Sequence, residues 1–207
     1  MMHIILENAG KRFNRDFIFR RFNYEFKSGR SYAVTGPNGS GKSTLLQVLS
    51  GNMQANEGSC KWILNDGKVI DGDAIYQYVS IAAPYLEIVE EMTAAEFLNF
   101  HFSFKKMIGG VSVQQIIEMT GLENTGNKQI RFFSSGMKQR MKLAQAIFSD
   151  TPVLLLDEPC TNLDANGYDL YQSLIKRYCS GKLLIVSSND ANEYAVCEER
   201  IQISDYK

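Results

Sequence analysis

The sequence predicts an α/β fold: a phosphate-binding core on a parallel sheet, with an antiparallel β lobe and an inserted helical lobe. Three observations predict it. First, Gly36-Pro37-Asn38-Gly39-Ser40-Gly41-Lys42-Ser43-Thr44 has the G-x-x-x-x-G-K-[ST] form of a phosphate-binding loop and stands between a strand pattern and a helix pattern. Second, Pro152 to Pro159 is a continuous apolar run that ends in Asp157 and Glu158. Parallel strands covered on both faces read this way. Third, strand patterns give way to helical ones from Pro84 until that run begins. One domain over residues 1–207 follows, with about 1–84 and 151–207 as the core and β lobe and about 85–150 as the helical lobe.

In chain order, Ile4-Ile5-Leu6 reads as a strand, and Phe22, Tyr24 and Phe26 alternate with Asn23 and Glu25 as a half-buried strand does. Lys11, Arg12, Arg15, Arg20 and Arg21 make this region locally basic, as a solvated sheet face would be. Phe13 has two readings: a flat ring that stacks on an adenine, or a side chain packed beneath the sheet. Ser28-Gly29 turns the chain into a short buried strand, Ser31 to Thr35.

The glycine-rich turn that follows leaves successive backbone N–H groups unpaired and aimed into one concavity. A polyphosphate supplies the acceptors they lack, and the positive end of the helix dipole adds to the attraction. In this pattern Lys42 reaches the β- and γ-phosphates, the Ser43 hydroxyl is a Mg²⁺ ligand, and Thr44 lies close to the α-phosphate. Leu45, Leu46, Val48 and Leu49 form the helix's apolar face, and Gly51 ends it. Gly58 to Trp62 and Ala74 to Ala83 then read as strands around turn signals at Asn65-Asp66-Gly67 and Asp71-Gly72.

Thr93-Ala94-Ala95-Glu96 is a capping box that opens a helix. Phe97, Phe100, His101 and Phe104 follow on one face, as core or, less commonly, as a protein-docking surface. Gly109-Gly110 breaks the chain before a further helix, Val111 to Thr120. Ser134-Ser135-Gly136 then opens a helix with Met141, Ala144, Ile147 and Phe148 on its apolar face. Such a start is ordinary capping chemistry and equally what a second anion site looks like.

The apolar strand within Pro152 to Pro159 ends where ligands sit in parallel sheets. Asp157 is placed to hold Mg²⁺ through water, and Glu158 to polarise an attacking water as general base. A helix near Asn166 to Cys179, a buried strand from Leu183 to Ser187, a helix near Ala191 to Cys197 and a last strand, Arg200 to Ile203, complete the chain.

Bulk properties exclude several classes. The 22 basic and 23 acidic residues nearly cancel, which gives no support to nucleic-acid binding. No apolar run approaches a membrane-spanning length, and Met1-Met2-His3-Ile4 opens no signal peptide. Cys60, Cys160, Cys179 and Cys197 are scattered and read as reduced thiols of a cytosolic protein. His3 and His101 are too isolated for a metal site.

With these motifs in order, the chain resembles the ATP-binding cassette (ABC) ATPase family over nearly its whole length. Gly36 to Thr44 match the Walker A loop, Asp157 the Walker B aspartate and Glu158 the catalytic glutamate. Phe13 stands where the family has its adenine-stacking aromatic, Ser134 to Met137 at the signature sequence, and Thr161 to Asp164 at the D-loop. The resemblance implies ATP and Mg²⁺ as ligands and a homo- or heterodimer of two such domains, each phosphate loop facing the other's signature helix. It also implies separate transmembrane permease subunits, and a place on the cytoplasmic face of the membrane. Three departures stand out: Phe-Ser-Ser-Gly-Met at the signature, Pro84 in place of the Q-loop glutamine, and Asn189 in place of the switch histidine. Asparagine donates a hydrogen bond but does not titrate near neutral pH. Two other functions fit the same motifs: a soluble ABC ATPase outside transport, and an ATP-gated switch with negligible turnover.

Overall fold

The computed structural model describes residues 2–207. Met1, part of the amino-terminal stretch read above, lies outside them. Strands β1 (Met2–Phe13), β2 (Asp16–Phe26) and β4 (Glu57–Leu64) form an antiparallel sheet in the order β2-β1-β4. Strands β3 (Ser31–Thr35), β5 (Val79–Ala82), β6 (Val153–Asp157), β7 (Leu183–Ser187) and β8 (Glu199–Gln202) form a parallel sheet in the order β5-β6-β7-β3-β8. Helix α1 (Lys42–Leu49) follows β3. Helices α2 (Ala94–Phe104), α3 (Val113–Met119) and α4 (Ser135–Ile147) lie between β5 and β6, and α5 (Ala165–Tyr178) joins β6 to β7.

Strand β6 shows how the layers are built. All five of its residues are buried. Val153 and Leu155 join one hydrophobic cluster with α1 and the antiparallel sheet; Leu154 and Leu156 join another with α2 to α5. Side chains alternate across a strand, so an unbroken apolar run is what a strand needs when both faces are covered. Parallel register sets Asp157 beside Ser187 and carries β6, β7 and β3 to one edge of the sheet.

Most predicted elements are present, and the exceptions have physical reasons. Ala74 to Gln77 belong to a 3₁₀ turn, Gly72–Gln77, so the predicted strand begins only at Val79. The capping box of α2 is formed at Thr93 and Glu96, and α3 has another, at Ser112 and Gln115. The aromatic face of α2 is only partly core. Phe97 is buried beside Ala94 and Leu98, whereas Phe100 is 46% and Phe104 72% exposed, because the buried stripe runs Ala94, Phe97 and Leu98.

The helix expected near Ala191 to Cys197 is a run of turns instead. Side chains there take the backbone groups that a helix would use: Ser188 accepts the N–H of Asp190, and Asp190 accepts that of Asn192. The four cysteines are free thiols. Among the described residues, no helix is long and apolar enough to cross a membrane.

Candidate functional site

A cavity of about 220 Å³ lies at the carboxyl edge of the parallel sheet, lined by Ile18, Asn38, Gly39, Gly41, Lys42, Ser43, Thr44 and Glu158. The loop from Gly36 to Gly41 links β3 to α1, and its last residue caps the helix in a left-handed conformation, φ 106°. A Cβ on Gly41 would fall 2.2 Å from the Ile18 side chain, so only glycine fits there. Helix α1 has no side-chain cap and no acidic residue in its first turn. Its first N–H groups therefore have neither an intrahelical partner nor a competing side-chain acceptor, which is the condition for an anion site.

Lys42 is 5% exposed, and its Nζ donates to the Gly36 carbonyl at 2.8 Å. The ammonium is thus folded against the loop it would serve. Ser40 is buried, and its hydroxyl has no hydrogen-bond partner.

Asp157 is 1% exposed, and its Oδ1 has no hydrogen-bond partner. Burial pushes its carboxyl above the ordinary range. The Ser43 and Ser187 hydroxyls pull it down, the Glu158 charge pushes it up, and the Lys42 ammonium pulls it down. An unpartnered buried carboxylate oxygen beside a serine hydroxyl fits a small hard cation. Among the described residues there is no group of three His, Cys, Asp or Glu that could hold a metal. A Mg²⁺ ion here would therefore take one carboxylate, one hydroxyl, substrate oxygens and water.

Glu158, next along, lines the cavity with φ 44°, in the left-handed region that side chains rarely adopt. Its backbone N–H donates to the Ser187 carbonyl at 2.8 Å. Asn189 also reaches the loop: its Oδ1 accepts the Gly36 N–H at 3.3 Å, and its Nδ2 donates to Asn38 Oδ1 at 3.0 Å. Only the family resemblance pointed to Asn189, and the fold sets it against the phosphate loop.

Other predicted residues lie elsewhere. Ser134 caps α4 by accepting the Met137 N–H at 3.2 Å. Ser134, Ser135 and Gly136 do not line the cavity, and the two serines are exposed. Gly136 packs on its own chain, where a Cβ would meet the Asn162 carbonyl oxygen at 2.9 Å. Phe13 is not beneath the sheet. It is 48% exposed at the end of the β1–β2 hairpin, opposite Asp16, with Lys11 Nζ 5.5 Å from its ring centre. The same hairpin delivers Ile18 to Gly41. Pro84 faces a separate groove, and its carbonyl accepts from Lys142 Nζ at 2.7 Å.

Sequence reasoning missed two neighbours of the site. Ile18 forms one wall, and nothing in its local pattern distinguishes it from any other strand residue. Tyr85 follows Pro84. Burial and the charge of Asp157 push its phenol up to about 12, while Gln47 pulls it down.

Comparison with known proteins adds the following. A family model described as ABC transporter matches residues 19–161. An uncharacterised ABC transporter ATP-binding protein of Bacillus subtilis is 29% identical over 95% of this chain and 90% of that protein. The cytochrome c biogenesis ATP-binding export protein of Mesorhizobium japonicum is 31% identical over 90% of this chain and 91% of its own length. Among solved structures, a dimeric, post-hydrolysis ATP-binding cassette bound to ADP and Pi superposes with a TM-score of 0.80 at 22% identity. That match covers 97% of this chain and 94% of the other, and it speaks for the fold.

Proposed function

The chain belongs to the ABC transporter family, and from that premise we propose that it is an ATP-hydrolysing subunit that drives separate membrane subunits. One observation carries the reading. The uncapped phosphate loop, Lys42, Ser43 and Glu158 line one cavity, with Asp157 buried beside the Ser43 hydroxyl.

In this reading the backbone N–H groups from Gly39 to Thr44 bind the phosphates of ATP, and Lys42 turns from the Gly36 carbonyl to the β- and γ-phosphates. Ser43 and Asp157 hold Mg²⁺, which when bound neutralises charge on the phosphate oxygens. Glu158 polarises a water that attacks the γ-phosphorus, the bond to the β-phosphate oxygen breaks, and ADP and phosphate result. Asn189 donates to the γ-phosphate through its amide. Phe13 stacks on the adenine from the hairpin that also supplies Ile18.

Ser134, Ser135 and Gly136, exposed and away from their own loop, act on the ATP of a second copy or a related domain. Two nucleotides then lie between two chains, and the membrane subunits respond to closure and opening of that pair. This places the protein peripherally on the cytoplasmic face of the membrane.

Release of phosphate from Mg-ATP tests the chemistry, and co-purification of apolar subunits from a membrane fraction tests the coupling. Absence of phosphate release at saturating Mg-ATP, with or without membrane subunits, overturns the hydrolytic reading. A second reading, an ATP-gated switch with negligible turnover, draws on Pro84, whose ring offers no side-chain amide where the family has one.

A further inference from the structure

Glu193 is 4% exposed, in the turns that follow β7, and the chemistry above does not use it. Its Oε1 accepts the backbone N–H of Cys160 at 2.9 Å, and its Oε2 is buried without a partner. Proteins rarely bury a carboxylate this deeply without a strong local reason. Burial pushes its carboxyl above the ordinary carboxylate range, while the Ser188 hydroxyl and the Cys160 N–H pull it down.

Cys160 lies in the turn that leaves the catalytic strand. That turn is flanked by two residues in the left-handed region, Glu158 at φ 44° and Asn162 at φ 65°. Such backbone persists only where its surroundings over-determine it. Here two buried side chains hold consecutive residues: Gln139 of α4 donates to the Pro159 carbonyl at 2.7 Å, and Glu193 accepts from Cys160.

The segment that carries Glu193 is itself clasped by one face of α5. Tyr168 Oη donates to Asp190 Oδ2 at 2.8 Å, Tyr171 Oη to the Glu193 carbonyl at 2.9 Å, and Gln172 Nε2 to the Asn192 carbonyl at 3.4 Å. Residues three and four apart on a helix share a face, so α5 grips the segment at consecutive points. Four residues upstream of Glu193, Asn189 touches the phosphate loop.

We infer that Glu193 is a positioning residue: its buried carboxylate locks the turn carrying Glu158 to the segment carrying Asn189. The water-activating group and the phosphate-loop contact are thereby tied through this side chain, which adds to the Gln139 bond at Pro159 and the backbone bond from Glu158 to Ser187. The inference rests on the hydrolytic reading for its kinetic consequence but not for its structural one.

The test compares wild type, Glu193→Ala and Glu193→Gln. Glutamine keeps an acceptor oxygen for the Cys160 N–H, and alanine does not. The Ala variant should lose about tenfold in kcat and keep its KM for ATP within about twofold, since one fixed hydrogen bond is lost away from the binding groups. The Gln variant should recover most of that loss. Amide exchange over residues 158–162 should speed up in the Ala variant and remain near wild type in the Gln variant. An Ala variant with unchanged kcat and unchanged exchange overturns the inference, as does equal loss in the Gln and Ala variants. If wild type releases no phosphate, the hydrolytic reading falls, and exchange over the turn still decides whether Glu193 holds it.

Discussion

Two helix starts in this chain look alike in sequence, and the fold treats them in opposite ways. Both α1 and α4 begin at a stretch that holds serine and glycine. Gly41 begins α1 with a left-handed backbone and no side-chain cap, and Lys42 beside it is buried. Ser134 begins α4 by capping it, and the two serines there face solvent. The first helix start keeps its donors free and is walled by Ile18, Glu158 and Asn38 of its own chain. The second has already satisfied a donor, and its serines are exposed. What surrounds a helix start therefore decides whether its free donors face a cavity. The first helix start lines a cavity of its own chain, and the second lies apart from that cavity.

The largest expected effect lies at the walled helix start. In the proposed reading Lys42→Ala removes the ammonium that reaches the β- and γ-phosphates and should cut kcat/KM by about a thousandfold or more. Phosphate release together with nucleotide binding at equilibrium checks it. Unchanged ATP affinity and turnover would rule out the assigned cavity.

Asn189 tests whether the proposed nucleotide site includes the segment after β7. Asn189→Ala should raise the barrier by about 2 to 4 kcal/mol, the cost of one fixed polar contact to developing charge. Asn189→His should be equal to wild type or faster. Rates at saturating Mg-ATP decide, and an Ala variant as fast as wild type would remove Asn189 from the site.

A smaller effect belongs to the open site. Ser134→Ala should cost about 1 kcal/mol of stability through loss of the cap. It should leave ATP affinity of the dilute monomer unchanged and still lower turnover at concentrations that favour pairing. A Ser134→Ala variant whose monomer loses ATP affinity would break the comparison, because the open site would then be acting on its own chain's nucleotide.

The residues around the first helix start were legible in the sequence because they are local. Gly36 to Thr44 are contiguous, and Asp157 and Glu158 end one apolar run, so pattern and position coincide. Partners far apart in sequence were hidden. Ile18 reaches Gly41 across the hairpin, and Glu193 reaches Cys160 across 33 residues.

The stripe of Phe97, Phe100, His101 and Phe104 misled in part, because helical periodicity marks a shared face without setting its orientation to the core. The turns at Ala191 to Val196 misled because side-chain bonds there outcompete helix formation. The fold was legible wherever burial on both faces forced an unbroken apolar strand, as at β6 and β7.

In the proposed pair, the open helix start of one chain completes the nucleotide site of another. Glu158→Gln tests it most directly, because the amide keeps the shape of the carboxylate but cannot polarise water as strongly or take its proton. With Mg-ATP, size-exclusion chromatography of this variant should show a dimer that is absent without nucleotide, with ATP affinity retained and phosphate release nearly stopped. A variant that stays monomeric with Mg-ATP while hydrolysing at the wild-type rate would contradict both the role of Glu158 and the shared site.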